Sequence, residues 1–164
     1  MSKTISIMRH AMSSGGSFTM PDIERFVLPE GITQTEYVAG KMVANDLIPD
    51  AIWTSPAKRT QQTSQLIHHL LQLECDLEIK TSLYHEDDEY VIEQIISCDE
   101  DFNHLLIIGH NPMVTQLTCQ LSGTGGFGWF NTSDIVSIEF DTENWAEIQT
   151  SKIIRKLKIT PLRN

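Results

Sequence analysis

The spacing of hydrophobic and polar positions changes several times along the chain. Residues 5–8 (Ile-Ser-Ile-Met) are short and partly β-branched, and they predict a strand. From Met12 to Pro29 the chain is rich in Ser and polar residues and has no period, so it reads as a loop. Thr33 is then the expected N-cap of a helix reaching about Leu47, with Glu36 completing a capping box. Residues 50–54 return to strand character, and Pro56 opens a helix to about Leu71 with Leu66, Ile67, Leu70 and Leu71 on its apolar side.

The second half repeats the alternation. Residues 77–79 predict a short strand and 90–96 a helix. The unbroken apolar run 105–108 predicts a central strand buried on both faces. Asn111-Pro112 opens a helix that Gly123 ends. Residues 135–140 and a segment within 145–154 predict a hairpin around residues 141–144. Strands alternating with helices indicate an α/β sandwich with a mostly parallel sheet and an antiparallel edge. With no repeat or linker, residues 1–164 are expected to form one domain.

Composition narrows the function classes. Twelve Lys and Arg against 22 Asp and Glu give a net charge of −10, which argues against sequence-independent nucleic-acid binding. All the acidic residues lie at or before Glu147, whereas Lys152, Arg155, Lys156, Lys158 and Arg163 close the chain. That basic segment is either a solvated strand face or a binding patch. No apolar run is long enough to span a membrane, and the first residues lack a signal-peptide core. Cys75, Cys98 and Cys119 are widely spaced, which suits a reducing, cytoplasmic setting. The six histidines lack zinc-ligand spacing, so neither a metal nor another cofactor is expected.

The candidate chemistry lies at strand ends, where open α/β sheets bind their ligands. The first strand ends in Met8-Arg9-His10, the second in Thr54-Ser55-Pro56 with Arg59 on the following turn, and the apolar strand in Gly109-His110-Asn111-Pro112. Two arginines and two histidines thus converge on one rim of an acidic protein. Guanidinium forks suit a tetrahedral oxyanion, and a helix start beside His110 adds free N–H groups. A histidine there either donates to a phosphoryl group or, when neutral, attacks it. At a strand end, His10 is expected to lie outside the core.

These motifs resemble the histidine phosphatase superfamily, which includes the cofactor-dependent phosphoglycerate mutases, and within it the short SixA-like phosphohistidine phosphatases. Arg9-His10-Ala11 is similar to the superfamily's Arg-His-Gly signature. Residues 54–63 are similar to its Ser-Pro-x-x-Arg-Ala-x-x-Thr segment, and Gly109-His110-Asn111-Pro112 to its second histidine motif. Asp22-x-x-Arg25 is similar to an Asp-x-x-Arg-Pro-Leu loop, with Phe26-Val27 in place of Pro-Leu, and residues 130–133 to a late Pro-Thr turn. The resemblance implies a three-layer, phosphoglycerate mutase-like sandwich. It also implies that His10 is the phosphorylated nucleophile, that Arg9, Arg59 and His110 hold the phosphoryl oxygens, and that Arg25 and Asn111 line the substrate site. Larger relatives carry a mid-chain carboxylic acid. Glu86, first of the acidic run 86–89, is the nearest candidate here, or that run is a solvated first helical turn.

The expected reaction is removal of phosphate from phosphohistidine on a partner protein, since a short chain leaves little room for a lid over the pocket. A phosphatase of sugars or other metabolites on the same scaffold is the alternative. A catalytically idle phosphate-binding module is a third reading. No membrane or nucleic-acid partner is expected.

Overall fold

The computed structural model describes residues 1–85, 87–123 and 126–163. Its strands are β1 (Lys3–Arg9), β2 (Ala51–Thr54), β3 (Leu77–Ile79), β4 (His104–Gly109), β5 (Ile135–Phe140) and β6 (Ile153–Ile159), joined in one sheet of order β3-β2-β4-β1-β5-β6. The pairs β2–β3, β2–β4 and β1–β4 are parallel, while β1–β5 and β5–β6 are antiparallel. The helices are α1 (Pro29–Ala44), α2 (Lys58–Leu70), α3 (Ser82–His85), α4 (Asp88–Ile96) and α5 (Met113–Ser122).

Two cores follow from the period of two along the strands. Ile5, Ile7, Leu105 and Ile107 face α4 and α5, packing on Val91, Ile95, Val114 and Leu117. Met8, Leu106 and Ile108 face α1 and α2, packing on Val38, Met42 and Ile67. Every residue of β4 is buried, as its unbroken apolar run requires. The result is a three-layer sandwich. Parallel β1, β2 and β4 therefore release their carboxyl ends on one rim, with Arg9, Ser55 and His110 side by side.

Several boundaries differ from the sequence expectation. Helix α1 starts at Pro29, not after Thr33, and its N-cap is Leu28. Proline at the first helical position has no N–H to leave unpaired, and Thr33 sits inside the helix with its hydroxyl donating back to the Pro29 carbonyl. The helix ends at Ala44, just before Asp46 takes a left-handed φ of 57°. Helix α2 starts at Lys58 behind Pro56, and α5 at Met113 behind the cis Asn111-Pro112 bond.

The final strand lies later than expected. Trp145–Glu147 form a 3-10 turn, and β6 begins only at Ile153. Trp145 is fully buried and donates its indole N–H toward the carbonyls of Asp99 and Phe102, so it closes the α4–α5 core instead of starting a strand. The basic segment is mostly bound to the protein's own oxygens. Arg155, Lys156, Lys158 and Arg163 donate to the carbonyls of Asn45, Ser122, Phe127 and Thr132, and Lys158 and Arg163 flank the buried Asp134 carboxylate.

Candidate active site

Arg9 ends β1 and His10 follows it. The His10 backbone N–H donates to the Gly109 carbonyl at 3.0 Å, which fixes the end of β1 against the end of β4. The Ala11 N–H donates to Thr63 Oγ1 at 3.0 Å, and that hydroxyl donates on to the Arg59 carbonyl at 2.7 Å. Helix α2 thus holds the turn after His10 and carries Arg59 beside it. Gly109 keeps α5 close: a Cβ there would lie 2.8 Å from the Met113 side chain.

His10 is only 5% exposed, so it is buried rather than outside the core. Its Nδ1 lies 2.8 Å from the Ala11 carbonyl. A carbonyl only accepts, so Nδ1 carries the proton and Nε2 keeps its lone pair. Burial, with the Arg59, Arg9 and Arg25 charges, pushes the ring's pKa down to about 4, against the opposing pull of the Ala11 carbonyl. His10 is therefore a neutral imidazole at pH 7 with a free nitrogen.

His110 follows β4, its ring centroid 5.3 Å from that of His10. Its Nδ1 lies 3.1 Å from Arg59 Nη2. Arginine can only donate, so Nδ1 accepts and Nε2 bears the proton that it gives to Ser55 Oγ at 2.7 Å. Burial and Arg59 push its pKa down to about 3.

The guanidiniums are partly spoken for. Arg9 Nη1 donates to the Phe130 carbonyl at 3.0 Å, and Arg59 Nη1 to the Asp22 carbonyl at 2.7 Å. Arg59 Nη2 also meets Asp22 Oδ2 at 3.0 Å. The Nε atoms of both arginines are buried without a partner. A buried unpaired donor costs about 1–3 kcal/mol, more on a charged group, so these N–H groups are primed for an acceptor.

The other expected site residues are engaged with the protein. Arg25 sits at the rim, where its Nε donates to the Ser14 carbonyl, Nη1 to Asp22 Oδ1 and Nη2 to Ser13 Oγ. Asn111 donates to the Phe130 carbonyl at 2.7 Å and accepts from Thr115 at 2.6 Å. Phe130 therefore braces Arg9 and Asn111 from one carbonyl. Glu86 lies outside the described residues. Of its neighbours, Asp87 caps α4 by accepting from the Tyr90 N–H, and Asp88 accepts from Gln120, as residues of a helix start do.

Three contributors were not among the expected site residues, although Asp22 and Ser55 lie in the motifs that carry the resemblance and only Tyr84 had no signal. Asp22 begins a 3-10 turn (Asp22–Glu24) and brings its carboxylate to Arg59, Arg25 and Tyr84. Tyr84, on α3, also stacks edge-on against His110 with ring centroids 5.4 Å apart. Ser55 holds the His110 ring. Among the described residues no group of three His, Cys, Asp or Glu side chains is placed to hold a metal ion, and no helix is long and apolar enough to cross a membrane.

The sheet order and layering match the phosphoglycerate mutase-like fold of histidine phosphatases. Similar solved structures include SixA from Nakamurella multipartitia (TM-score 0.82, 19% identity, covering 99% of this chain and 98% of that one). The protein histidine phosphatase SixA complexed with tungstate gives a TM-score of 0.79 at 22% identity, over 94% and 96% of the two chains. The mycobacterial glucosyl-3-phosphoglycerate phosphatase Rv2419c gives 0.62 at 14% identity, over 94% and 98%. In sequence, the chain is 30% identical over 119 residues to the uncharacterised protein Rv1276c of Mycobacterium tuberculosis, covering 73% of this chain and 72% of that protein. It is 27% identical over 121 residues to the uncharacterised ML1117 of Mycobacterium leprae, over 72% and 73%. The chain belongs to the family of Rv1276c. No protein-family model matches it.

Proposed function

We propose that this protein is a phosphatase that takes a phosphoryl group onto His10 and releases it to water, with phosphohistidine on a partner protein as its substrate. The observation that carries the reading is His10 itself. It is a neutral imidazole with Nδ1 tied to the Ala11 carbonyl and Nε2 free, beside two arginines that each keep a buried Nε–H unpaired.

In the first step the His10 Nε2 lone pair forms a bond to phosphorus while the bond from phosphorus to the leaving nitrogen breaks. That nitrogen keeps the electron pair, and the imidazole departs neutral because its other ring nitrogen is protonated before the bond breaks. In the second step a water oxygen attacks phosphorus, the P–Nε2 bond breaks, and its pair returns to His10. The water's proton goes to solvent or to the phosphate product. Arg9 and Arg59 stabilise the charge on the phosphoryl oxygens throughout, and such fixed donors supply most of the catalysis in phosphoryl transfer. When an anion draws Arg59 Nη2 off His110, the Nδ1 of that ring is freed to turn to the phosphoryl group. Ser55 can then serve as donor to Nε2 in place of acceptor.

The leaving group favours phosphohistidine. An imidazole titrates near neutral pH, so it departs without strong acid help. An alkoxide needs a positioned general acid worth about 10²–10⁴-fold. The nearest described carboxyls do not supply one: Asp87 and Asp88 serve helix α4, and Asp22 is held as an anion. A tungstate complex is known for the similar SixA, which fits an oxyanion-shaped pocket. The likeness to a glucosyl-3-phosphoglycerate phosphatase keeps a metabolite phosphatase as the second reading.

The test compares kcat/KM on a histidine-phosphorylated carrier protein and on a panel of phosphometabolites, each with and without EDTA. Faster turnover of the phosphoprotein, unaffected by chelator, is expected. A metabolite turned over faster assigns the second reading, and loss of activity in EDTA overturns the metal-independent mechanism.

A further inference from the structure

The Asp22 carboxylate occupies the mouth of the site. It is half exposed, and it accepts from Arg59 Nη2 at 3.0 Å, Arg25 Nη1 at 3.1 Å and Tyr84 Oη at 2.7 Å. Those donors come from α2, the 12–28 loop and α3, so one carboxylate ties three elements around the opening. The Tyr84 phenol, with Arg25 and Arg59, holds the Asp22 pKa well below the usual carboxylate range, against the opposing effect of burial. Asp22 is a permanent anion there.

Charge decides what the mouth can accept. Arg9, Arg25 and Arg59 face Asp22 and two neutral histidines, which leaves two positive charges, the match for one phosphoryl dianion. Behind Arg9, the buried Asp134 carboxylate acts on that guanidinium, is opposed there by Arg163, and is itself paired with Lys158 and Arg163. Arg25 has no nitrogen without a partner: Ser14, Asp22 and Ser13 take all three. A second anionic group next to the phosphoryl group would find its nearest cations already paired and a fixed carboxylate among them.

We infer that Asp22 is the selectivity residue of this site, a fixed carboxylate that admits a single phosphoryl group and disfavours ligands with a second anionic group adjacent to it, such as pyrophosphates, bisphosphates and phosphorylated carboxylic acids. The inference rests on the phosphoryl-pocket reading above. It gives Asp22 a role by charge, distinct from simply bracing Arg59, and the two roles separate by variant. Asp22→Asn keeps the shape and an acceptor oxygen but removes the charge. Asp22→Glu keeps the charge.

The experiment measures Kd for orthophosphate and for pyrophosphate by calorimetry on the wild-type protein and both variants, at low and at high ionic strength. The ratio of the two constants is taken within one sample, so any misfolded fraction cancels. Asp22→Asn is expected to shift that ratio toward pyrophosphate by about fivefold at low salt, the scale of one partly exposed charge, and the shift should shrink in high salt. Asp22→Glu is expected to keep the wild-type ratio. An unchanged ratio in Asp22→Asn, with orthophosphate still bound, overturns the role of Asp22 alone. No orthophosphate binding by the wild-type protein overturns the phosphoryl pocket itself, and this inference with it.

Discussion

His10 and His110 face each other across 5.3 Å in opposite tautomers. His10 is protonated on Nδ1 by its contact with the Ala11 carbonyl, and His110 on Nε2 because Arg59 claims its Nδ1. Two histidines of the same rim are thereby set up for different work. One has a free nitrogen for bond formation, while the other holds a guanidinium in place. The difference originates in their partners, a backbone carbonyl in one case and an arginine in the other.

Titration of His10 should reflect this setting. Its pKa stands at about 4, chiefly through burial, so its ring should not titrate between pH 8 and 5. The ring Cε1–H resonance, assigned by its absence in His10→Asn, checks this by proton NMR. A flat signal over that range is expected, whereas a midpoint near the ordinary 6.5 would contradict a neutral, desolvated nucleophile.

The same physics governs stability through His104, which lies far from the rim. Its ring is buried, bonded to Ser6 Oγ at 2.7 Å, and burial lowers its pKa from 6.5 to about 4. The unfolded chain therefore takes up a proton near 6.5 that the folded chain resists, so this stability is complete above 6.5 and is lost as pH falls toward 4. A shift of this size corresponds to about 3 kcal/mol at most. Thermal melts of wild type and His104→Gln from pH 7.5 to 4.5 should show a shallower acid decline in the variant. Parallel curves would remove His104 from the acid response.

Much of this was legible in the sequence, and the reasons differ by element. The apolar run of β4 read as a buried central strand because a sheet covered on both faces leaves no polar positions. Arg9-His10, Arg59 and Gly109-His110 read as a site because each adjoins a strand end. The start of α1 did not, since Leu28-Pro29 offers no capping side chain and Thr33 mimics one. Strand β6 was hidden by its three charged positions, Arg155, Lys156 and Lys158, whose cations bond carbonyls of neighbouring segments. Asp22 and Tyr84 are 62 residues apart and meet only through the fold, so no spacing could have joined them. The burial of His10 was missed because a strand end does not reveal that α2, through Thr63, holds the turn after it.

Gly31 ties the loop that carries Asp22 and Arg25 to the start of α1. A Cβ at this position would lie 2.5 Å from the Met12 carbonyl oxygen and 2.9 Å from its nitrogen, and that carbonyl already accepts from the Leu28 N–H. Gly31→Ala should therefore displace the loop, at a cost of about 1–3 kcal/mol. A lower Tm together with a reduced kcat/KM is expected. Full activity and an unchanged Tm would show that the loop does not depend on this close approach.

Covalent capture of the phosphoryl group tests the nucleophile directly. Substrate carrying radioactive phosphate, quenched during turnover, should leave label on the wild-type protein that is lost in acid and kept in base, the behaviour of a phosphoramidate. His10→Ala, confirmed as folded by circular dichroism, should carry no label and no turnover. Acid-stable label, or label that persists in His10→Ala, would contradict a phospho-His10 intermediate and place the nucleophile elsewhere.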